Sequence, residues 1–333
     1  MIKFLANIAR SLIGTGLSFW PSLQAIKKNG LTIFLFHSVN TNPGLFESSQ
    51  HLSVTPELFK WQIKWILNRY QPISPKDIEK GEKLPPNACL ITFDDGWAGV
   101  FEHAYPLLEK LSVPSLLFVN MDPIENLAPL WAAVAFWLAE NTPRLNEWIR
   151  SRSKNLSSNH PALNLTPDLL KQWEIENGNL DWKAIEAYQG KLASLQQMKE
   201  WDGHPFVFYG NHLYNHWNAT TMSNEDLQKA FLKNQEAINR FSSGTHHFAF
   251  TFGTFLPHQV DLLIHWGATH IYMSQSRVNS THRKLRTLGR VNLSSWHDRP
   301  SRLQWEINQD FFKKALGRNL YDKLRVFRKT LNP

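Results

Sequence analysis

The stretch Ala-Cys-Leu-Ile-Thr-Phe-Asp-Asp-Gly, residues 88–96, decides the fold prediction for this chain of 333 residues. Its residues 89–93 are apolar or β-branched and too few for a helix, so they predict a buried strand. The strand ends at two adjacent carboxylates, Asp94 and Asp95. In α/β proteins, polar groups at the carboxyl ends of parallel strands usually carry the chemistry. The alternative is a simple turn in which Asp94 caps a helix that begins near Trp97.

Strand and helix patterns alternate on both sides of this stretch. Apolar strands are predicted at 31–39 and 113–120, and 40–50 is interpreted as a loop. Helices are predicted at 55–70, where Thr55 is the N-cap, and at 99–111. Later in the chain the pattern predicts a helix at 224–241 and strands at 205–209, 247–253, 270–274 and 288–293. This alternation is typical of parallel strands joined by crossover helices.

The alternation is interrupted by residues 122–204, which have a helical pattern and many tryptophans. A long insertion in an α/β domain commonly shapes the substrate cleft, and helices packed on the outside are the alternative. We therefore divide the chain into a basic amphipathic segment 1–29, a domain 30–300 that contains the insertion, and a basic helix 301–333.

The net charge of +8 is concentrated at the two ends of the chain, while the centre is near neutral. A near-neutral domain argues against a nucleic-acid groove and leaves anionic membrane lipid as a candidate partner for the basic ends. The single cysteine excludes an internal disulfide, and no window is apolar enough to span a membrane. We expect a cytoplasmic protein with peripheral membrane contact. A cleaved signal peptide is less favoured, because the apolar stretch 11–20 is interrupted by small and polar residues.

Two histidines, His212 and His216, follow the predicted strand 205–209. Their spacing would place both imidazoles on one side of a helical turn, which suits a single metal ion. Because they also follow a strand, they should meet Asp94 and Asp95 at one edge of the sheet. Two histidines and one carboxylate form metal sites in hydrolytic zinc enzymes and in non-haem iron oxygenases. The second carboxylate would remain free to act on water.

Four motifs together resemble those of the NodB-homology polysaccharide deacetylases. They are Ser-Val-Thr-Pro-Glu-Leu-Phe at 53–59, Thr-Phe-Asp-Asp-Gly at 92–96, Gly-Asn-His-x3-His at 210–216 and Phe-Ala-Phe-Thr-Phe-Gly at 248–253. The resemblance implies a distorted (β/α) barrel of about seven strands over 30–300, interrupted by the Trp-rich helical insertion. It also implies a divalent metal, most often Zn²⁺, and removal of acetyl groups, usually N-acetyl, from amino sugars of a glycan or glycolipid.

The resemblance also implies a role for each site residue. Asp94 resembles the general base, and Asp95, His212 and His216 resemble the metal ligands. The backbone N–H after Asp95 would stabilise the oxyanion together with the metal. The alternative function is a catalytically silent relative that binds a glycan or serves as a scaffold in a polysaccharide pathway.

Expulsion of an amine requires a general acid opposite Asp94. His37 closes the apolar strand 33–36 and should emerge beside Asp94. Leu-Phe-His-Ser at 35–38 resembles the element that supplies this acid in family members with permuted strand order. The alternative is a histidine that only forms hydrogen bonds at the barrel mouth. His282 and His297 lie at no obvious strand end.

The chain departs from the family pattern at three places. Phe250 stands where the family has tyrosine, and Thr251 stands where it has proline. The late Leu-Pro-Arg motif reads Leu-Gly-Arg at 288–290. The arginine that often braces the base in related proteins has no clear match. These differences concern the acetyl pocket more than the metal ligands.

Overall fold

The computed structural model describes residues 30–153, 156–280 and 286–309. The predicted segment 1–29, most of the predicted helix 301–333 and His282 lie outside these residues. Peripheral contact with an anionic membrane, which rests on the two basic ends, therefore stays a prediction. Within the described ranges, no helix has the length and apolar character needed to cross a membrane.

A mostly parallel sheet forms the centre of the molecule. In the described residues the strands β1 to β12 are, in chain order, Gly30–Phe36, Ser38–Val39, Ser53–Val54, Gln71–Pro72, Ala88–Phe93, Ser115–Val119, Val207–Asn211, Gly244–Ala249, His270–Met273, Asn279–Ser280, Thr287–Gly289 and Val291–Asn292. The main path of hydrogen-bonded neighbours is β10-β1-β5-β6-β7-β8-β9-β11. Strands β2 and β3 form a separate parallel pair.

The sheet closes on itself at its last strand. β11 pairs in parallel with β9, and β12, two residues further on, pairs in parallel with β1. The short antiparallel strand β10 adds an eighth member to the path at β1. The prediction of a distorted (β/α) barrel is thus confirmed.

Helices α1 to α13 surround the barrel in the described part of the chain. Their bounds are Leu45–Ser49, Pro56–Leu67, Pro75–Glu79, Tyr105–Lys110, Met121–Asn126, Trp131–Asn141, Leu145–Arg152, Pro167–Asn177, Trp182–Gln189, Leu195–Glu200, Asn224–Ile238, Pro257–His265 and Pro300–Ile307. A π-helical turn, Val100–Ala104, precedes α4. The predicted N-cap is confirmed, since the Thr55 hydroxyl accepts a hydrogen bond from the Leu58 N–H.

Two local predictions are wrong. Residues 40–50 contain helix α1, because the buried Glu47 carboxylate accepts a hydrogen bond from the Gly44 N–H and Phe46 packs on the Tyr188 ring, 5.8 Å away. The strand predicted at 247–253 ends at Ala249 and continues as the 3-10 turn Thr251–Gly253. The contact between Phe46 and Tyr188 joins segments that are distant in sequence, and so does the hydrogen bond from the Thr251 hydroxyl to the Trp217 carbonyl.

Candidate metal centre

The two aspartates leave β5 through a tight turn. The Asp94 N–H donates to the Phe36 carbonyl, 3.1 Å away, and so extends the pairing of β5 with β1 by one residue. Asp95 has φ 75° and Gly96 has φ 92°, both in the left-handed region. The Gly96 N–H donates to the Asp94 carbonyl oxygen over 3.0 Å. This N–H, expected to face an oxyanion, is therefore already engaged, and that prediction finds no support in the geometry.

The loop after β7 is not the helical turn that the histidine spacing predicted. Leu213 has φ 61° and His216 has φ 58°, so the chain reverses through left-handed residues. The Leu213 N–H donates to the Asn211 side-chain oxygen over 3.0 Å. The Asn120 side-chain N–H₂ donates to the carbonyls of both His212 and Leu213. Buried amide side chains, rather than helix geometry, thus bring the two imidazoles together.

Asp95, His212 and His216 converge on one point. Asp95 Oδ1 lies 3.4 Å from His212 Nε2 and 3.1 Å from His216 Nε2. The three potential ligand atoms lie within 4.8 Å of one another, and all three side chains are buried. His212 Nδ1 lies 2.8 Å from the Ala249 carbonyl and donates to it, so Nε2 is the ring nitrogen that faces Asp95 and the cluster. This donor set and spacing fit one divalent ion.

The shifted pKa values of Asp95 and His216 also favour binding of a cation at the cluster. Burial opposes ionisation of Asp95, but hydrogen bonds from His212 and His216 hold the pKa of its carboxyl well below the usual range. Burial lowers the pKa of His216 and keeps its imidazole neutral. Burial also acts against the charged form of His212, but the nearby Asp94 and Asp95 raise the pKa of that group. A metal would replace the proton on this cluster.

Asp94 forms a buried ion pair with Arg290. The guanidinium donates from both terminal nitrogens to the two carboxylate oxygens, over 2.6 and 2.8 Å. Arg290 is 0% exposed and Asp94 is 3% exposed. Asp94 therefore does not cap a helix, which was the alternative interpretation. The arginine that braces this carboxylate, which had no clear match in the sequence, is Arg290, and it lies between β11 and β12 where the barrel closes.

Sequence reasoning missed Arg290 although a signal was present. The residue interrupts the apolar pattern of a predicted strand, and a charge on a buried strand needs a partner. The partner is 196 residues away in sequence, so only the closure of the barrel identifies it.

His37 follows β1 directly and is half-buried. It lies level with Asp94, because Phe36 pairs with Phe93 in the register of β1 and β5. The charge of His37 is a minor cause of the lowered pKa of the Asp95 carboxyl, after the hydrogen bonds from His212 and His216 and the charge of His216, and burial acts against this lowering. His37 therefore lies at the same edge as the cluster, and its role as an acid stays a prediction. His297, by contrast, accepts a hydrogen bond from the Ser294 N–H over 2.9 Å.

The loop that departs from the family pattern adjoins the cluster. The Phe252 ring lies 4.8 Å from the His216 ring in an edge-to-face contact. The Thr251 hydroxyl donates to the Trp217 carbonyl over 2.5 Å, and Phe250 stacks on Phe255. Thr251 is thus accommodated by a hydrogen bond to the loop that carries His216, and Phe250 is accommodated by ring packing within its own loop.

Comparison with known proteins identifies the class. The sequence model of the polysaccharide deacetylase family matches residues 81–271, more than half of the chain. The Bacillus subtilis protein YxkH, which carries the same family name, is 33% identical over 102 residues, covering 29% of this chain and 34% of that protein. The poly-β-1,6-N-acetyl-D-glucosamine N-deacetylase of Escherichia coli K12 is 26% identical over 124 residues, which are 36% of this chain and 15% of the relative.

Solved structures show the same fold. IcaB from Ammonifex degensii superposes with a TM-score of 0.55 at 16% identity, covering 84% of this chain and 98% of that one. The Streptococcus pyogenes deacetylase PplD, in complex with acetate, superposes with a TM-score of 0.56 at 15% identity. The superposition covers 84% of this chain and 99% of the PplD chain. The chain therefore belongs to the polysaccharide deacetylase family, a family of carbohydrate deacetylases.

Proposed function

We propose that this chain is a metal-dependent hydrolase that removes N-acetyl groups from amino sugars of a glycan or glycolipid. The observation that carries the proposal is the convergence of Asp95, His212 and His216 beside the Asp94–Arg290 pair at one edge of the barrel. The Escherichia coli relative is a poly-β-1,6-N-acetyl-D-glucosamine N-deacetylase, which supports N-acetylglucosamine polymers as the first substrates to test.

Asp95, His212 and His216 would hold the ion through Asp95 Oδ1 and the two Nε2 atoms. The chemistry that a divalent ion supplies when bound in such a site is polarisation of the acetyl carbonyl and a lowered pKa of water. Three protein ligands leave coordination positions open, which distinguishes catalytic sites from closed structural ones. The Asp95 carboxylate is the buried, negatively charged member of the cluster.

Asp94 is the group that takes the proton of the attacking water. Arg290 occupies one lone pair on each carboxylate oxygen, which orients the carboxylate and leaves its other lone pairs available. The negative charge of Asp94 is thereby kept close to the metal ligands without being one of them. His37, directly after the neighbouring strand β1, is our candidate for protonating the leaving amine.

The test combines metal analysis with acetate release. The purified wild-type protein should contain a divalent metal and release acetate from oligomers of poly-β-1,6-N-acetylglucosamine or from chito-oligosaccharides. A chelator should abolish release, and added metal should restore it. Bound metal without acetate release from N- or O-acetylated glycans would favour the catalytically silent glycan binder. Protein that binds no metal would contradict the proposal.

Replacing His37 with glutamine tests the acid. His37→Gln should lower turnover about a hundredfold, because water must then protonate the amine. The metal content should not change, because His37 is not one of the three residues of the metal cluster. His265→Gln is the control, since His265 is exposed at the end of α12. Turnover by His37→Gln that equals that of the control would remove His37 from the mechanism.

A further inference from the structure

The insertion returns to the barrel beside the loop that carries Asp95. Trp97 and Leu192 form an antiparallel bridge between the two segments. The Ala98 N–H donates to the Lys191 carbonyl over 3.0 Å, and the Ala193 N–H donates to the Gly96 carbonyl over 2.9 Å. Residues 96–98 are therefore paired with residues 191–193, near the C-terminal end of the insertion.

Trp97 connects this pairing to the metal cluster. Its side chain is 0% exposed, and its indole N–H donates to Asp95 Oδ2 over 3.1 Å. The other carboxylate oxygen, Oδ1, is the one that faces His212 and His216. The Trp97 ring lies 6.2 Å from Phe46 of α1, which in turn contacts Tyr188 of the insertion. The indole is thus fixed by its hydrogen bond to Asp95, by the Phe46 ring and by the backbone pairing with Leu192.

We propose that Trp97, held in place by residues 191–193 of the insertion, is a positioning residue that presents Asp95 to a divalent ion through Oδ1 alone. Asp95 lies in a left-handed turn, where its backbone conformation is unfavourable and must be maintained by its surroundings. The indole N–H occupies Oδ2 and stops rotation of the carboxylate. A ligand held through one oxygen leaves more of the coordination sphere open to water and substrate.

The insertion thereby acquires a role at the ligand loop. Sequence analysis left two alternatives, a cleft-shaping insertion and helices packed on the outside. The pairing of 191–193 with 96–98 gives the insertion a third role, as a support for the ligand loop. The inference rests on the proposed metal site, because a positioned carboxylate needs an ion to bind.

Trp97→Phe is the decisive variant, because it keeps an aromatic ring and removes the N–H. The metal-free protein is titrated with Zn²⁺ against a chromophoric chelator, and the visible absorption of the Co²⁺ form is recorded. We expect Zn²⁺ affinity to fall by about ten- to a hundredfold, as for other residues that orient metal ligands. The Co²⁺ spectrum should change, because Oδ2 becomes free to join the coordination sphere.

Trp65→Phe is the matched control. Trp65 is buried in α2, and within the described ranges its indole N–H has no hydrogen-bond partner. This variant also removes a buried indole N–H, but it should leave Zn²⁺ affinity and the Co²⁺ spectrum unchanged. The melting temperature of each metal-free variant reports whether the fold is intact.

If Trp97→Phe does not fold, benzothienylalanine is placed at position 97 by stop-codon suppression. This isostere keeps the shape of the indole and replaces the N–H with sulfur, so the same loss of affinity is expected. Affinity and spectrum equal to those of Trp65→Phe would overturn the positioning role alone. Wild-type protein that binds neither Zn²⁺ nor Co²⁺ would overturn the proposed metal site as well.

Discussion

Replacing Asp94 with asparagine is expected to lower the rate of acetate release by a factor on the order of 10²–10⁴. Asparagine keeps the size of the side chain and one acceptor for Arg290, but it cannot accept the proton of the attacking water. The three ligand atoms of the metal cluster belong to other residues, so metal content should remain at the wild-type level. The measurement is steady-state acetate release together with metal analysis of the same preparation.

Asp95→Asn is the matched control, because it makes the same chemical change one residue along the chain. This variant removes the charged ligand from the cluster, and it should therefore lose metal as well as activity. Comparison of Asp94→Asn with Asp95→Asn therefore separates the role of general base from the role of metal ligand at two adjacent residues. Loss of metal by Asp94→Asn, with retention by Asp95→Asn, would show that the roles of base and ligand are reversed.

Replacing Arg290 with methionine is expected to lower the free energy of unfolding of the metal-free protein by about 3–5 kcal/mol. The ion pair with Asp94 is almost completely buried, and both of its hydrogen bonds are short. Removal of the guanidinium leaves a carboxylate charge in the protein interior without its partner. Urea denaturation followed by circular dichroism measures the change, with the m-value as a check on two-state behaviour.

Two further variants define the origin of this effect. Lys229→Met breaks the exposed ion pair with Glu225 on α11, and it should leave stability at the wild-type value. The double variant Arg290→Met with Asp94→Asn removes both charges, so it should be more stable than Arg290→Met alone. A cost for Arg290→Met as small as that for Lys229→Met would contradict a structural role for the pair.

The residues that form the candidate site could be predicted from the sequence. Buried strands are recognisable as short apolar runs, and polar residues directly after them mark the carboxyl edge of a parallel sheet. Asp94, Asp95, His212 and His216 all follow such runs, and the structure brings them to the same edge. The alternation of strands and helices likewise indicated parallel strands joined by crossover helices, and the family resemblance implied the barrel that the structure shows.

The local geometry of the ligand loops was not predictable in the same way. The spacing of His212 and His216 suggested a helical turn, whereas the chain uses left-handed residues at 213 and 216. Amide side chains at Asn120 and Asn211 stabilise that conformation through buried hydrogen bonds. The spacing of the two histidines carries no information about these partners. Asn120 follows a different strand, β6, and the hydrogen bond of Asn211 depends on the orientation of its side chain.

The sequence by itself thus determined the family, the order of the elements and the residues that could form a metal cluster. Those conclusions depend on local patterns, namely the spacing of apolar residues and the polar residues directly after predicted strands, and such patterns can be recognised within a short stretch of sequence. Only the tertiary structure decided that Arg290 pairs with Asp94 and that Trp97 holds Asp95 Oδ2 while the insertion supports its loop. The pairing partners Asp94 and Arg290 come together only when the last strand closes the barrel against the first. Buried charges and hydrogen bonds are satisfied by whatever group the fold brings within 3 Å or so, and distance along the chain does not limit that choice.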